Sequence, residues 1–445
     1  MAELTGYRPK AILELYDDEQ MFNVLAIADF HPEQAVYLGT RRLKSKRVKN
    51  RILGFIESLE IPSTCFFYST EMLSLKAVIA ELEHILELYP DIAIDITGGF
   101  EVASTAIGIL AKEREIQVFR YDALERSYRN IMNCPWIDKV KSDPKITVEA
   151  IMRLNGSTYL GHGHVAVESL SAEESNDVLG LFSLFKKYYR TWPRLSEYLR
   201  PATDDYFAED ENDPLRFEAP SSIEGETKDT VYCDTIIMSA LADAGYLKDL
   251  RTTGGTISFR YKNAVVRDCL IDTGSVLEFY VYVTARNSGY FQDVQISVKT
   301  NWDVAPIQRV DTINEIDVIA VHGEVPVFVS CKAGTPDVFA LAEIKTLARH
   351  FGGSQAKAML VTMSDVRGGD VYLFQRACDM EVTMVDYNDI IAERLQKRLI
   401  TTAKVILNWG RGTFSEKKSL SPKPPLPKKL HTRRTSHKPT PVRCP

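Results

Sequence analysis

The sequence predicts an α/β protein with two successive domains, a Rossmann-like domain followed by an α/β domain of a different pattern. The 445 residues exceed what one hydrophobic core usually holds, which favours two or three domains. The N-terminal third alternates short β-rich runs with helical patterns, as in a parallel sheet covered on both faces. A stretch at 202–224 that contains many acidic residues and prolines separates this third from a second α/β pattern, which begins near residue 229.

Composition and charge describe a globular protein with an acidic body and a basic end. The net charge is −6, but the nine lysines and arginines after Glu416 have no acidic neighbours, which leaves −15 for the preceding residues. The first ten residues contain no apolar signal core, and no apolar run is long enough to span a bilayer. We therefore expect a cytoplasmic protein with no membrane partner. The seven scattered cysteines form no CxxC motif, so neither a disulfide framework nor a structural zinc site is expected.

The N-terminal domain is predicted to contain four strands and three helices. The predicted strands are 34–40, 63–69, 91–97 and 116–121, and the predicted helices are 41–60, 71–88 and 103–112.

A candidate ligand site lies where the third of these strands ends. Asp95 and Thr97 are followed by Gly98 and Gly99, and a helix begins directly after them. Glycines at such a turn let the backbone approach a ligand, and the N-terminus of a helix favours phosphate. The segment Gly39-Thr40 ends the first predicted strand and would lie at the same edge of the sheet. The Thr-Gly-Gly sequence also fits an ordinary turn between a strand and a helix.

The second domain is predicted to contain a buried sheet. A short helix is predicted at 274–284, strands at 291–298, 315–321, 326–331 and 357–362, and a helix at 337–351. Segments 257–261 and 264–270 are predicted to form a hairpin that turns at 262–263.

Two of these strands carry the residues that point to chemistry. Residues two apart on a strand share a face, so Glu315 pairs with Asp317, and Ser330 pairs with Lys332. The residues between them are apolar, which suits a buried sheet. A hairpin-like connection brings the two polar pairs side by side.

Carboxylates on one strand and a lysine on the next suit metal-assisted hydrolysis of a phosphodiester. Carboxylate oxygens hold Mg²⁺ or Mn²⁺, which polarises the phosphate, and a lysine stabilises the developing negative charge. Glu278, on the preceding helix, offers a further carboxylate. The same residues also fit a solvated strand face, but their position within two strongly apolar strands favours a site.

These segments, NEIDV at 314–318 and VPVFVSCKAG at 325–334, resemble the core of PD-(D/E)xK nucleases. More narrowly, they resemble the CARF-domain nucleases of type III CRISPR defence, which carry a C-terminal restriction-endonuclease-like domain and are activated by cyclic oligoadenylate. The similarity extends to about residue 409. It implies that Asp317 binds metal together with Glu278 and Glu315, and that Lys332 is the catalytic lysine. Ser330 occupies a position where the motif has Asp or Glu, which removes one expected metal ligand.

The resemblance also implies a domain organisation and partners. It assigns 1–146 to a Rossmann-like CARF domain, 147–225 to a helical connector and acidic linker, 226–410 to the nuclease, and 411–445 to a basic disordered tail. The implied activator is a cyclic oligoadenylate, with cyclic tetra-adenylate favoured, bound by Gly39, Thr40, Asp95, Thr97, Gly98 and Gly99. The implied substrate is single-stranded RNA or DNA, and the implied assembly is a homodimer.

Two other functions fit parts of the sequence. In the first, the serine at position 330 marks a catalytically weak or inactive sensor that binds nucleic acid or a partner. In the second, the chain is a different Rossmann-type regulator, such as a transcription factor, whose C-terminal half serves for dimerisation. The set of Glu315, Asp317 and Lys332 argues against the second of these.

Overall fold

The computed structural model describes residues 9–162, 170–206, 213–225, 228–272, 274–302 and 313–404. Residues Met1–Ile406 form one compact unit. The tail predicted at 411–445 lies outside the described residues. Within the described ranges, no helix is both long enough and apolar enough to cross a membrane.

The N-terminal part is a six-stranded sheet in the order β3-β2-β1-β4-β5-β6, in which only β6 runs antiparallel to its neighbour. Its strands are β1 Ala11–Leu15, β2 Gln34–Gly39, β3 Thr64–Ser69, β4 Ile92–Asp95, β5 Gln117–Asp122 and β6 Ser127–Met132. Its helices are α1 Leu25–Phe30, α2 Lys46–Ser58, α3 Leu75–Leu88 and α4 Glu101–Glu113. The buried residues of α1 and α2 pack on one face of the sheet and those of α3 and α4 on the other, which confirms the predicted α/β class.

The sequence prediction missed the central strand of this sheet. All five residues of β1 are buried, and the strand pairs in parallel with β2 on one side and with β4 on the other. The strand order reverses between β1 and β4, and ligands of open α/β sheets bind beyond the carboxyl ends of the strands at such a reversal. The end of β1 therefore belongs to the candidate ligand site.

The segment predicted as a connector is built into the folded unit. Its elements and those that follow are α5 Val148–Leu154, β7 Ser157–His162, α6 Ala172–Tyr188, α7 Trp192–Tyr206, β8 Arg216–Pro220, β9 Ser222–Glu224, β10 Thr230–Tyr232, α8 Thr235–Asp243, β11 Leu247–Thr253, β12 Thr256–Tyr261 and α9 Ala264–Ile271. Strand β8 lies within the predicted acidic linker, yet it pairs with β12.

The hairpin predicted from 257–261 and 264–270 is wrong. Strand β12 instead pairs with β11 across a turn at Gly254-Gly255, and residues Ala264–Ile271 form helix α9. The side chain of Asn263 caps this helix by accepting a hydrogen bond of 2.9 Å from the Val266 amide.

The second large sheet has the order β17-β16-β15-β14-β13-β7. Its elements are α10 Ser275–Asn287, β13 Asp293–Trp302, β14 Ile313–His322, β15 Val325–Lys332, α11 Val338–Gly352, β16 Lys357–Thr362, α12 Val366–Gly369, α13 Val371–Asp379, β17 Val382–Val385, α14 Tyr387–Ile391 and α15 Leu395–Lys404. Strands β15, β16 and β17 are parallel, whereas β7, β13, β14 and β15 pair antiparallel. The edge strand β7 comes from the segment predicted as a connector.

One hydrophobic core joins the two sheets. It includes Phe119 and Tyr128 of the first sheet together with Ile316 and Phe328 of the second, and all four side chains are buried. Helix α5 lies between the sheets and contributes to the same core, and its Val148 amide donates a 2.7 Å hydrogen bond to Asp293 of β13. The two sheets therefore pack against each other through one continuous set of buried side chains.

Candidate active site and sensor edge

The structure brings Asp317, Ser330 and Lys332 to one end of the β14–β15 ladder. The regular pairing ends with Val318 opposite Val329, and the next residues on the two strands are Asp317 and Ser330. Asp317 Oδ2 accepts hydrogen bonds from the Cys331 amide at 2.6 Å and from the Ser330 hydroxyl at 3.4 Å. Burial raises the pKa of the Asp317 carboxyl, and the Cys331 amide and Lys332 oppose this shift.

Glu278 lies in the first turn of α10 and faces the same site. Burial raises the pKa of its carboxyl to about 8, and the negative charges of Asp317, Asp272 and Glu315 add to that shift, while Lys332 opposes it. These four neighbours act on one carboxyl because β14, β15 and α10 meet here. The structure therefore gathers the predicted catalytic side chains, including Glu278 from the helix.

Sequence reasoning missed two residues of this site. Asp272 precedes α10, and its carboxylate and that of Glu278 both lie within 3.5 Å of the position that a Cβ on Gly274 would occupy. Ser297 of β13 is buried, and its hydroxyl donates a hydrogen bond to Glu315. An aspartate just before the helix that carries Glu278 was a usable signal for the first residue. Ser297 reaches Glu315, 18 positions later, only through the pairing of two strands, and no sequence pattern indicates that pairing.

The side chains fit a divalent cation by charge and donor type. Four carboxylates, from Asp272, Glu278, Glu315 and Asp317, act together with one lysine, so the site carries excess negative charge. Carboxylate oxygens are the ligands that Mg²⁺ and Mn²⁺ prefer. Among the described residues, no three acidic, histidine or cysteine side chains come close enough together to enclose a metal ion. The donor chemistry fits, whereas the conformation described here is not a closed ligand cage.

The comparison with known families agrees with this geometry. Residues 267–402, from α9 to α15, match the family model described as "Card1-like, endonuclease domain". This part of the chain is therefore similar to Card1-like endonuclease domains. The chain is therefore a nuclease, and the matched segment contains Glu278, Asp317 and Lys332.

Solved structures extend the similarity to the N-terminal part. Can2 from Sulfobacillus thermosulfidooxidans, described in complex with cyclic tetra-adenylate, matches 89% of this chain and 98% of its own with a TM-score of 0.61 and 16% identity. Protein VC1899 from Vibrio cholerae matches 89% of this chain and 99% of its own with a TM-score of 0.68 and 16% identity. At this identity the likeness shows a shared fold. No curated protein sequence matches the chain.

The other candidate site of the nuclease is the edge where β1, β2 and β4 end. Asp95, at the end of β4, is buried and accepts hydrogen bonds from the Thr97 amide at 2.7 Å and from the Thr97 hydroxyl. Burial raises the pKa of Asp95 to about 7, and these hydrogen bonds oppose the shift. Asp95 therefore holds Thr97 in place from beneath, rather than presenting its own side chain at the surface.

Gly98 and Gly99 are constrained by the end of β1. A Cβ at position 98 would lie 2.9 Å from Asp17 Oδ2, and one at position 99 would lie 2.5 Å from the Cβ of Leu15. Gly99 also has a φ of +90°, and its amide donates a 2.9 Å hydrogen bond to Asp17 Oδ2. The glycines are therefore required for packing against β1, which is a reason the sequence prediction did not include.

Thr40 and the residues after it form the β2 part of this edge. The Thr40 side chain accepts a 3.3 Å hydrogen bond from the Arg42 amide and so caps a short 3-10 turn at Arg41–Lys44, after Gly39. Arg42 forms an ion pair of 2.7 Å with Asp18, and both side chains are exposed. The neighbouring Arg41 is also exposed. Cationic side chains thus stand beside the predicted phosphate-binding turn.

A polar contact links this edge to the endonuclease domain. The Thr97 hydroxyl accepts a 2.7 Å hydrogen bond from the Tyr121 amide at the end of β5. The Tyr121 hydroxyl donates 2.8 Å to Glu324, which lies in the turn between β14 and β15. Arg126 completes the contact with a 3.0 Å ion pair to Glu324, whose side chain is 3% exposed. The strands that carry Asp317 and Lys332 are therefore held by the first sheet at their far end.

Proposed function

We propose that this chain is a nuclease of CRISPR antiviral defence, in which a cyclic oligoadenylate bound at the N-terminal sheet activates cleavage of single-stranded nucleic acid. The observation that supports the cleavage chemistry is the convergence of Asp317, Glu278 and Lys332 within the Card1-like domain. The observation that supports control is the contact from Thr97 through Tyr121 to Glu324. A single core across both sheets supports the same coupling.

The catalytic roles follow from charge and position. Lys332 provides a fixed positive charge for the negative charge that develops on the phosphoryl oxygens. Asp317 and Glu278, with Glu315 beside them, are the proposed ligands of Mg²⁺ or Mn²⁺. A bound divalent cation supplies Lewis acidity and lowers the pKa of a bound water. The Cys331 amide orients Asp317, and the Ser297 hydroxyl orients Glu315. Both carboxylates are therefore held in position by hydrogen bonds.

Control by a ring-shaped ligand implies an assembly of two chains. An even-numbered cyclic oligoadenylate has rotational symmetry, whereas one sheet edge offers a single binding surface. Two copies related by a two-fold axis offer matching edges to the two halves of the ring. We therefore propose a homodimer that binds the ring through Gly39, Thr40 and the turn from Thr97 to Gly99 of both chains. Cyclic tetra-adenylate is the proposed ring. Activation then requires that the ring binds the active arrangement more tightly than the inactive one.

The test is a cleavage assay on the purified full-length chain. Labelled single-stranded RNA and DNA are incubated with Mn²⁺ or Mg²⁺, with and without cyclic tetra-adenylate, and Lys332→Ala serves as the matched inactive control. We expect cleavage that depends on metal and ring in the parent, and no cleavage in the variant. Full activity in Lys332→Ala would refute the active-site assignment, and cleavage that ignores the ring would refute the proposed control.

The serine at position 330 supports a second candidate function. A chain that lacks one acidic ligand and binds nucleic acid without cutting it would act as a sensor or as a scaffold for a partner. Such a protein would show ring-dependent binding of the labelled strands in the same assay with no product at any metal concentration.

A further inference from the structure

Two adjacent helices of the endonuclease domain present aromatic side chains to solvent. Phe339 of α11 and Tyr372 of α13 are 81% and 91% exposed, and Val338 and Val371 beside them are also exposed. Large apolar side chains that cluster on a surface usually mark a place where another molecule binds.

The position of these helices relates the aromatic side chains to the active site. Helix α11 begins six residues after Lys332, and α12 and α13 follow the end of β16, the parallel neighbour of β15. The loops after the two strands are joined, since the Thr335 and Ser364 hydroxyls lie 3.0 Å apart. Both helices therefore start from the edge of the sheet where Lys332 lies.

Helices α11 and α13 are also in contact and pack on the same face of the sheet. Leu341 and Ile344 of α11 pack in the same core as Leu373 and Ala377 of α13. Helix α11 connects β15 to its parallel neighbour β16, and α13 connects β16 to its parallel neighbour β17, so the two helices run in the same direction from the same edge. Phe339 and Tyr372, each the second residue of its helix, therefore belong to one surface.

From this arrangement we propose that Phe339 and Tyr372 form a stacking platform for unpaired bases of the nucleic-acid substrate, beside the phosphodiester at Asp317 and Lys332. The inference rests on the proposed nuclease function and names the part of the surface that positions its substrate. Aromatic rings stack on bases of any sequence, which suits a single strand whose bases are not paired. Asp337 and Asp370 cap the two helices, so this surface offers ring faces rather than positive charge.

A second copy of the chain is the other occupant to consider. Two aromatic side chains bury about 150–250 Å² each at most, whereas a stable dimer needs about 800 Å² on each partner. The small area of the patch therefore favours bases over a second copy.

The test uses the full-length chain with Lys332→Ala, so that the probe is bound and not cut. The probes are single-stranded DNA and RNA oligonucleotides that carry 2-aminopurine at successive positions, because this base loses fluorescence when it stacks. We expect quenching at one or two positions, and we expect Phe339→Ala and Tyr372→Ala each to weaken binding about tenfold and to restore the fluorescence. The conservative variants Phe339→Tyr and Tyr372→Phe should retain quenching.

The matched control is Tyr232→Ala, which removes a tyrosine that is 70% exposed on β10, outside the sheet that carries the active site. Quenching and affinity that survive both alanine substitutions would overturn the platform while leaving the cleavage assay untouched. Sedimentation that changes from dimer to monomer in Phe339→Ala, with oligonucleotide affinity unchanged, would overturn it in favour of an interface between copies. The platform is tested by probe binding and fluorescence in the Lys332→Ala chain. The proposed cleavage is tested separately, by product formation in the parent chain that retains Lys332, so the two failures are distinguishable.

Discussion

The hydroxyl of Tyr121 donates a 2.8 Å hydrogen bond to Glu324, although the two residues are 203 positions apart in the sequence. Glu324 is buried and lies in the turn that joins β14 to β15, and Asp317 and Lys332 lie seven and eight residues from it along these strands. At about 3.3 Å per residue, this places Glu324 more than roughly 20 Å from the active site. The first sheet therefore contacts strands β14 and β15 at the end opposite the active site.

Tyr121→Phe should reduce activation by the ring without preventing the ring from binding. Removing the hydroxyl leaves Glu324 with one hydrogen-bond donor fewer, which costs about 1.5–3 kcal/mol for a charged partner. The measurement is the cleavage rate against cyclic tetra-adenylate concentration, together with direct titration of the ring. Tyr128→Phe is the matched control, because its hydroxyl donates a 2.7 Å hydrogen bond to Asp29 within the N-terminal part. Equal activation in the two variants would exclude a coupling role for Tyr121.

Ser330→Glu should lower the stability of the metal-free protein and tighten metal binding. Ser330 is buried beside Asp317, so a carboxylate there places like charges together at a cost of about 1–3 kcal/mol. A divalent cation reverses that repulsion and gains one ligand. The thermal midpoint of unfolding should therefore rise more steeply with Mn²⁺ than in the parent, and Ser330→Gln, which has the same size without charge, should not show this. An identical response of both variants would place residue 330 outside the metal's ligand shell.

Metal affinity should increase with pH up to about 8. The pKa of Glu278 is raised to about 8 by burial and by neighbouring carboxylates, so a cation must displace a proton below that pH. Since this pKa is higher in the folded chain than in the unfolded one, the contribution to stability is fully present below about 4.5 and is lost as pH rises towards 8 in metal-free protein. Calorimetric titration with Mn²⁺ in buffers of different ionisation enthalpy should detect proton release near pH 7. Affinity that is constant between pH 6.5 and 8.5 would contradict the prediction.

Gly99→Ala should destabilise the fold through the contact with β1. A side chain at this position requires a φ of +90° and meets the Cβ of Leu15, which together should cost about 1–3 kcal/mol or more in the free energy of unfolding. Denaturant titration measures this loss, and Gly108→Ala on α4, where a Cβ meets nothing within 4 Å, is the control. A stable Gly99→Ala chain would show that the turn relaxes freely. Substitution of Gly98 likewise disturbs Asp17, so it does not test ligand binding alone.

Arg41→Glu is a cleaner test of the sensor edge. Arg41 is exposed, so its replacement should leave the fold intact while placing negative charge beside the proposed ring phosphates. We expect a tenfold or greater increase in the concentration of cyclic tetra-adenylate that gives half activation, a change of about 1.4 kcal/mol. The control is Lys112→Glu, which reverses an exposed charge in the last turn of α4, at the end of that helix away from Gly99. It should have little effect. Equal shifts in both variants would point to net charge rather than to the edge.

The features that the sequence predicted are those that depend on short-range patterns. Alternation of strands and helices gave the α/β class, and the spacing of Asp317 and Lys332 on two apolar strands placed them at one end of a sheet, where the structure has them. The sequence prediction did not include strand β1, because its five buried residues, Glu14 among them, do not alternate between apolar and polar. Helix α9 was read as a strand because its valines favour strands, although Asn263 is a capping residue.

Contacts between residues that are distant in sequence could not be predicted in this way. The link from Tyr121 and Arg126 to Glu324 joins side chains that no periodicity relates. Glu324 looked like a polar turn residue, as glutamates in such turns commonly are, and only the packing of the two sheets buries it. The same holds for Ser297 and Glu315, because only the pairing of β13 with β14 brings their side chains within hydrogen-bonding distance.

Strand β7 has a consequence for how the protein is made and for what happens when it is cut. It is the edge strand of the catalytic sheet, yet its partner β13 begins about 130 residues later, which a ribosome needs roughly 7–26 s to add. Until then β7 has no partner in that sheet, whereas every strand of the first sheet has already been synthesised. A protease that removed everything before residue 226 would release a catalytic sheet with the edge of β13 exposed. An exposed edge of this kind invites pairing with other chains, so a nuclease freed from its regulator would tend to aggregate instead of cutting nucleic acid unchecked.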